Sequence, residues 1–210
     1  LEDSSLIVDR VLFHGIQCLL MSHPGFLSRL SADALQRLRR EALAFTSWEL
    51  RGRPVLQALL RDFADESIPS ALLKGTALAY SCYSSPSERP KGDIDLLVSP
   101  EQREAAEAIL AKHGFQHTRE NELIRTTQSE WTLQQPGGQP QILELHHNLL
   151  PSLTLSEVFQ TDSLLENIQP LPKLCPEASM LRDSMALLHA CIHRASHFRI
   201  AYYVDGTTHF

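Results

Sequence analysis

The run Gly92-Asp93-Ile94-Asp95-Leu96-Leu97-Val98 constrains this chain more than any other stretch. From Asp93 to Val98 it has the length and residue types of a β-strand, yet it carries two carboxylates. In an extended segment, residues two apart share a face. Asp93 and Asp95 are therefore expected on one side, with Ile94, Leu96 and Val98 on the other. Two like charges side by side repel and lose hydration. A fold tolerates that most easily when a cation stands between them, and Mg²⁺ favours carboxylate oxygens together with substrate phosphates. Two such ions roughly 4 Å apart form the clamp used for in-line attack on a phosphate. An isolated pair of this kind is more often a loop cap beside a solvated aspartate, so the neighbouring sequence has to decide.

The neighbours support a site. Upstream, the short apolar run of residues 70–73 stops at Lys74–Gly75, and a helix is expected over 76–83. Glycine allows a close backbone approach, and a helix N-terminus offers free N–H groups to an anion. Downstream, Glu144 stands alone among Ile142, Leu143 and Leu145 in an expected strand over 141–147. An acid in such a strand needs a partner. An adjacent strand would deliver it beside the aspartates as a third metal ligand.

The rest of the chain sets the frame. With 210 residues, 43% hydrophobic and 21% charged, it has the makeup of an ordinary globular protein with one good-sized domain or a core with helical additions. Its net charge of -6 argues against an extended nucleic-acid groove, which brings a basic surplus. No stretch approaches about 18 apolar residues, so no membrane span is expected. The acidic start lacks the layout of a signal peptide. Cys18, Cys82, Cys175 and Cys191 lack CxxC spacing and read as buried thiols of a reducing, cytoplasmic setting. The chain opens on Leu1 and ends in a pattern still developing, so a longer parent protein is expected.

Apolar periodicity gives helices over 5–22 (interrupted by Gly15), 31–48 with Ser31 as N-cap, and 53–64. Residues 1–66 thus form a helical region expected to pack on a core at 67–150. In that core, 84–92 is a loop, and Pro100 and Gly114 bracket an amphipathic helix. Short strands are expected at Phe115–Arg119, Glu122–Thr127 and Trp131–Gln134. Pro151, Pro170, Pro172 and Pro176 mark a long irregular connection, and 178–198 returns to helix. This order of elements gives an α+β or α/β sheet domain with flanking N- and C-terminal helices.

The segments LLKGTALAY, an arginine, GDIDLLV and then LELH resemble a bacterial family of the DNA polymerase β-like nucleotidyltransferase superfamily, known as uncharacterised nucleotidyltransferases. The resemblance covers residues 68–150 well and the C-terminal histidine-bearing helix more loosely. It implies the nucleotidyltransferase fold, a small mixed sheet with helices. It also implies transfer of a nucleoside monophosphate from an NTP to a hydroxyl acceptor, small molecule or protein, with two Mg²⁺ or Mn²⁺ ions. By position, Gly75 matches the turn glycine, Asp93 and Asp95 the metal-binding pair, and Glu144 the third carboxylate. The superfamily often has Gly-Gly or Gly-Ser at the turn, whereas Lys74–Gly75 stands here, leaving the mode of phosphate contact open. The alternative is a non-catalytic nucleotide-binding or protein-interaction module that keeps the fold.

Other residues have two readings each. Lys74 either reaches the triphosphate or is a solvated strand-end lysine. Arg89, in the loop before the aspartates, either clamps phosphate or lies on the surface, and Gly92, just ahead of Asp93, is expected among the nucleotide contacts. Thr76 opens the helix beside the phosphate site, and Tyr80 and Tyr83 are expected to pack that helix rather than stack on a base. His146 shares a face with Glu144 and either serves the site or bonds to backbone, while His147 faces away. His189, His193 and His197 recur every four residues. They form either a metal stripe or a face that packs on the core, with His193 near the nucleotide cleft.

Overall fold

A computed structural model describes residues 4–119, 127–150 and 158–204. The helices α1 (Ser4–Phe13), α2 (Gln17–Leu20) and α3 (Pro24–Leu27) lead into a single long helix, α4 (Ala32–Asp65). The strand β1 (Ser70–Leu72), helix α5 (Lys74–Cys82) and strand β2 (Ile94–Val98) follow. Then come α6 (Arg103–Lys112), β3 (Gln116–Arg119), β4 (Gln128–Leu133) and β5 (Gln141–His146). The last described elements are α7 (Thr161–Leu165), β6 (Ile168–Pro170), β7 (Ser179–Leu181) and α8 (Asp183–Val204). Among the described residues, no helix is long and apolar enough to cross a membrane.

The strands form one mixed sheet in the order β3-β4-β5-β2-β1-β7-β6. Strand β2 lies at its centre, antiparallel to β1 and parallel to β5. The register sets Asp95 opposite Glu144 and Leu97 opposite His146. Alternation then sorts the side chains by face. Ile94, Leu96, Val98, Leu143 and Leu145 join the larger core with Leu59, Leu60 and Phe63 of α4 and Leu110 of α6. Leu97 enters a second core with Ala71, Leu73, Leu164, Leu165 and Leu181, under α7 and α8. Asp95, Glu144 and His146 belong to this second face by the same period.

Three expectations about elements need correction. The helices expected over 31–48 and 53–64 are one helix that runs through Pro54. A proline inside a helix costs about 3 kcal/mol. Here the buried stripe Leu38, Ala42, Trp48, Gly52, Leu56, Leu59 and Phe63 stays in helical phase across it, and that continuous burial offsets the loss. Residues 179–181, expected in the C-terminal helix, are strand β7, with Met180 beside Leu72 of β1. The connection expected to be irregular contains α7 and β6, so the sheet continues past residue 150, with Pro170 ending an edge strand where proline is tolerated. The strand expected at Glu122–Thr127 lies almost entirely outside the described residues.

The cysteines also differ from expectation. All four are free thiols, but only Cys175 is buried, Cys18 is half-buried, and Cys82 and Cys191 are exposed. Helix periodicity places Cys82 and Cys191 on outer faces, which thiol chemistry alone does not reveal.

Helix α4 seats against the start of β5 at Gly52. A methyl group there would overlap the side-chain amide of Gln141. That amide is buried, and its Nε2 donates to the Trp48 carbonyl at 3.1 Å. Gly52→Ala improves helix propensity by about 1 kcal/mol, but overpacking costs about 1–3 kcal/mol. The expected result is a net loss of about 1 kcal/mol, seen as a lower urea midpoint at unchanged slope. A midpoint at or above wild type would contradict the packing described.

Candidate active site

Asp95 is 1% exposed, at the centre of the sheet, and is the hub of the site. Its Oδ1 accepts from Lys74 Nζ at 2.7 Å and from His146 Nε2 at 3.0 Å. Glu144 Oε2 stands 3.3 Å from the same His146 nitrogen and 3.8 Å from Lys74 Nζ. One ligand atom each from Asp95, Glu144 and His146 lie within 4.8 Å of one another. Among the described residues this is the group of three or more such side chains with metal-binding spacing.

The electrostatics follow from that crowding. Burial pushes the Asp95 carboxyl up, but His146 and Lys74 outweigh it and leave it below the usual carboxylate range. Burial likewise opposes charge on His146, and the hydrogen bonds to Asp95 and Glu144 overcome it and raise the imidazole. Asp93 behaves oppositely. Burial, then Asp95 and then Glu144 raise its carboxyl above the ordinary range. Asp93 precedes β2, and it is not part of the mutually close trio. Its carbonyl accepts from Thr76 Oγ1 at 3.4 Å.

The trio fits a divalent cation. Its donors are two carboxylate oxygens and an imidazole nitrogen, a mixed set that suits Mn²⁺ at least as well as Mg²⁺. A cationic group, the Lys74 ammonium, already stands between the two carboxylates. The face that His146 shares with Glu144 predicts a place at the site as a proton carrier or substrate contact. The structure sets it among the candidate ligands, and its period-two spacing from Glu144 is the signal available in the sequence.

Lys74 has φ +45°, a left-handed backbone that suits glycine. Gly75 opens α5, and a Cβ there would lie 3.2 Å from the Lys91 side chain, so its role is close approach. No side chain caps this helix start. Gly92 is exposed just ahead of Asp93. Arg89 lies over the Tyr83 ring at 6.0 Å and lines a cavity of about 260 Å³ beside Lys74. Leu73, Ala77 and Met180 form apolar walls of this cavity, and His189 and His193 face it from α8. The His189 and His193 rings meet edge to face 6.0 Å apart. Burial, reinforced by Lys74 and His146, lowers His189 to about 4, which makes it a neutral ring. Among the described residues these two histidines form no metal cluster of three, and the His197 side chain lies outside that set. Tyr80 is buried and packs α5, as expected.

A mixed sheet with an acid on its central strand, a second acid opposite it and a tight turn at Lys74 opening the adjoining helix is the arrangement of a nucleotidyltransferase fold. The chain belongs to the family described as uncharacterised nucleotidyltransferase, which it matches over residues 2–205. It is also similar to a solved structure, an antigenic nucleotidyltransferase-like protein from Paracoccidioides brasiliensis, at 18% identity and a TM-score of 0.40. That similarity covers 61% of this chain and 59% of the other, so the chain spans under two thirds of that protein's length. No curated protein matches the chain.

Proposed function

We propose that the chain is a metal-dependent nucleotidyltransferase that moves a nucleoside monophosphate from an NTP to a hydroxyl acceptor, a small molecule or a protein. The observation that carries this is the convergence of Asp95, Glu144 and His146 within 4.8 Å, beside the uncapped start of α5 and an apolar cavity. Asp95, Glu144 and His146 would hold one Mg²⁺ or Mn²⁺, and Asp93 with Asp95 would hold a second. When bound, these ions supply charge neutralisation at the phosphates. The backbone N–H groups after Gly75 cradle the triphosphate at the helix start. Lys74 and Arg89 add positive charge at its rim, and the cavity between α5 and α8 takes the base. The acceptor oxygen attacks the α-phosphorus, the bond to the departing pyrophosphate breaks, and Glu144 takes the acceptor's proton. Rate enhancement comes mainly from positioning and preorganised charge. The four free thiols fit a reducing, cytoplasmic setting.

The test is ligand-induced stabilisation followed by transfer. A ligand that binds only the folded state stabilises by about 2.7 kcal/mol at a hundredfold excess over Kd. Wild type is expected to melt higher with Mn²⁺ plus one of the four NTPs than with either alone. It is also expected to pass label from the α-phosphate of that NTP to an acceptor in a host lysate. Stabilisation without any label transfer would favour the non-catalytic nucleotide-binding module, and no stabilisation by any NTP would reject both of these and leave the protein-interaction module.

A further inference from the structure

Lys91 and Glu49 are a buried pair that the proposed reaction does not use. Lys91 Nζ donates to Glu49 Oε2, and their side chains are 4% and 8% exposed. The hydroxyl of Tyr80 donates to the other Glu49 oxygen. Aromatic rings surround the ammonium, with centroids at 5.4 Å for Trp48, 5.7 Å for Phe45 and 5.9 Å for Tyr80. Each is close enough for cation–π attraction. The adjoining space is only about 10 Å³, room for one water at most.

Such a pair is poorly explained by stability alone. Desolvating two charges costs several kcal/mol, and apolar residues of similar volume often serve the fold as well or better. What the pair fixes is position. Lys91 is joined to Asp93 through Gly92 alone. Its Cβ passes so close to Gly75 that a side chain there would press on it at 3.2 Å. Thr76 holds the Asp93 carbonyl from the same helix turn. Helix α4, the first turn of α5 and the Asp93 segment therefore meet at this one residue.

We propose that Glu49 and Lys91 form a positioning clamp through which helix α4 sets where the Asp93 carboxylate stands relative to Asp95 and Glu144. The inference rests on the metal-binding reading of that site. Neither residue touches the reacting atoms, so both are positioning residues, and Lys91 carries the effect to Asp93 through two peptide bonds.

The experiment uses the full chain and the double variant Glu49→Gln with Lys91→Met. Both replacements approximate the original shapes, and the amide oxygen introduced by Glu49→Gln still offers Tyr80 an acceptor. This pair can therefore fold where Lys91→Met alone would strand a buried carboxylate. Three quantities are read: melting temperature, Mn²⁺ affinity by calorimetry, and amide hydrogen exchange at Gly92 and Asp93. The clamp predicts near-native melting, faster exchange at those amides and roughly tenfold weaker Mn²⁺ binding. It further predicts that Asp93→Ala weakens Mn²⁺ binding in wild type but adds little in the double variant, because both act through the same carboxylate. Unchanged affinity, or additive losses, would overturn it. So would collapse of the double variant, which would make the pair a structural element. Failure of the site reading looks different: wild type itself would bind no Mn²⁺, and both ideas would fall together.

Discussion

Asp95→Asn is expected to abolish Mn²⁺-dependent NTP binding and to destabilise the ligand-free protein, whereas Asp93→Asn is expected to abolish binding and leave stability equal or higher. Seen in the sequence alone, the two aspartates are equivalent and repel each other, so neutralising either should be harmless without ligand. The structure separates them. Asp95 is compensated twice, by Lys74 at 2.7 Å and His146 at 3.0 Å. Hydrogen bonds between charged groups contribute about 1.5–3 kcal/mol. Asparagine keeps the shape and loses most of that, so a cost of about 2 kcal/mol is expected. Asp93 has its charge disfavoured by burial and by its neighbours. Asparagine there removes a repulsion and leaves the Thr76 hydrogen bond to the backbone in place. Denaturant melts without ligand read the first effect. Thermal melts with Mn²⁺ and NTP read the second, with a lost shift worth about 2.7 kcal/mol at a hundredfold excess over Kd. If both variants melt alike without ligand, or if NTP shifts all three proteins equally, the electrostatic assignment is wrong.

Lys74→Met is expected to tighten Mn²⁺ binding in the absence of nucleotide while weakening binding of the Mn²⁺–NTP pair. The Lys74 ammonium lies between Asp95 and Glu144, so an entering cation must compete with it. Removing it leaves two carboxylates short of positive charge, and the metal replaces what was lost. A gain of about tenfold, or about 1.4 kcal/mol, is expected in calorimetry. Under the proposed function the same ammonium adds positive charge at the triphosphate, so its loss is expected to weaken binding of the Mn²⁺–NTP pair. The backbone supplies a control. Lys74 holds φ +45°, which costs a non-glycine residue roughly 1–2 kcal/mol. Lys74→Gly removes the same charge and relieves that strain, so it should be more stable than Lys74→Met with the same change in metal affinity. Weaker Mn²⁺ binding in both variants would show that Lys74 supports the metal site rather than competing with it.

These results depend on features that differ in how far the sequence reveals them. The period-two rule places Glu144 and His146 on one face, and the register sets that face beside Asp95. It cannot show that Asp93 lies just outside the strand, because strand ends depend on pairing partners. Nor can it show the left-handed backbone at Lys74, though a lysine at a position often held by glycine is the visible trace. The pairing of Lys91 with Glu49 joins residues 42 apart in sequence and leaves no local signal. Strand β7 has only three residues, too few for periodicity to separate it from the helix that follows. At Pro54 in helix α4, local propensity says stop, while burial along the whole length says continue.

That continuity has a mechanical consequence. At 1.5 Å per residue, the 34 residues of α4 make a rod about 50 Å long. One end is gripped by α1 through Val8, Val11, Ala34 and Leu38, and the other is seated on the sheet through Leu56, Leu59, Leu60 and Phe63. A stiff rod held at both ends carries load rather than absorbing it. Torque applied to the N-terminal helices travels along α4 past Glu49 to the sheet, and Pro54, which lacks a backbone N–H, is where that rod yields first.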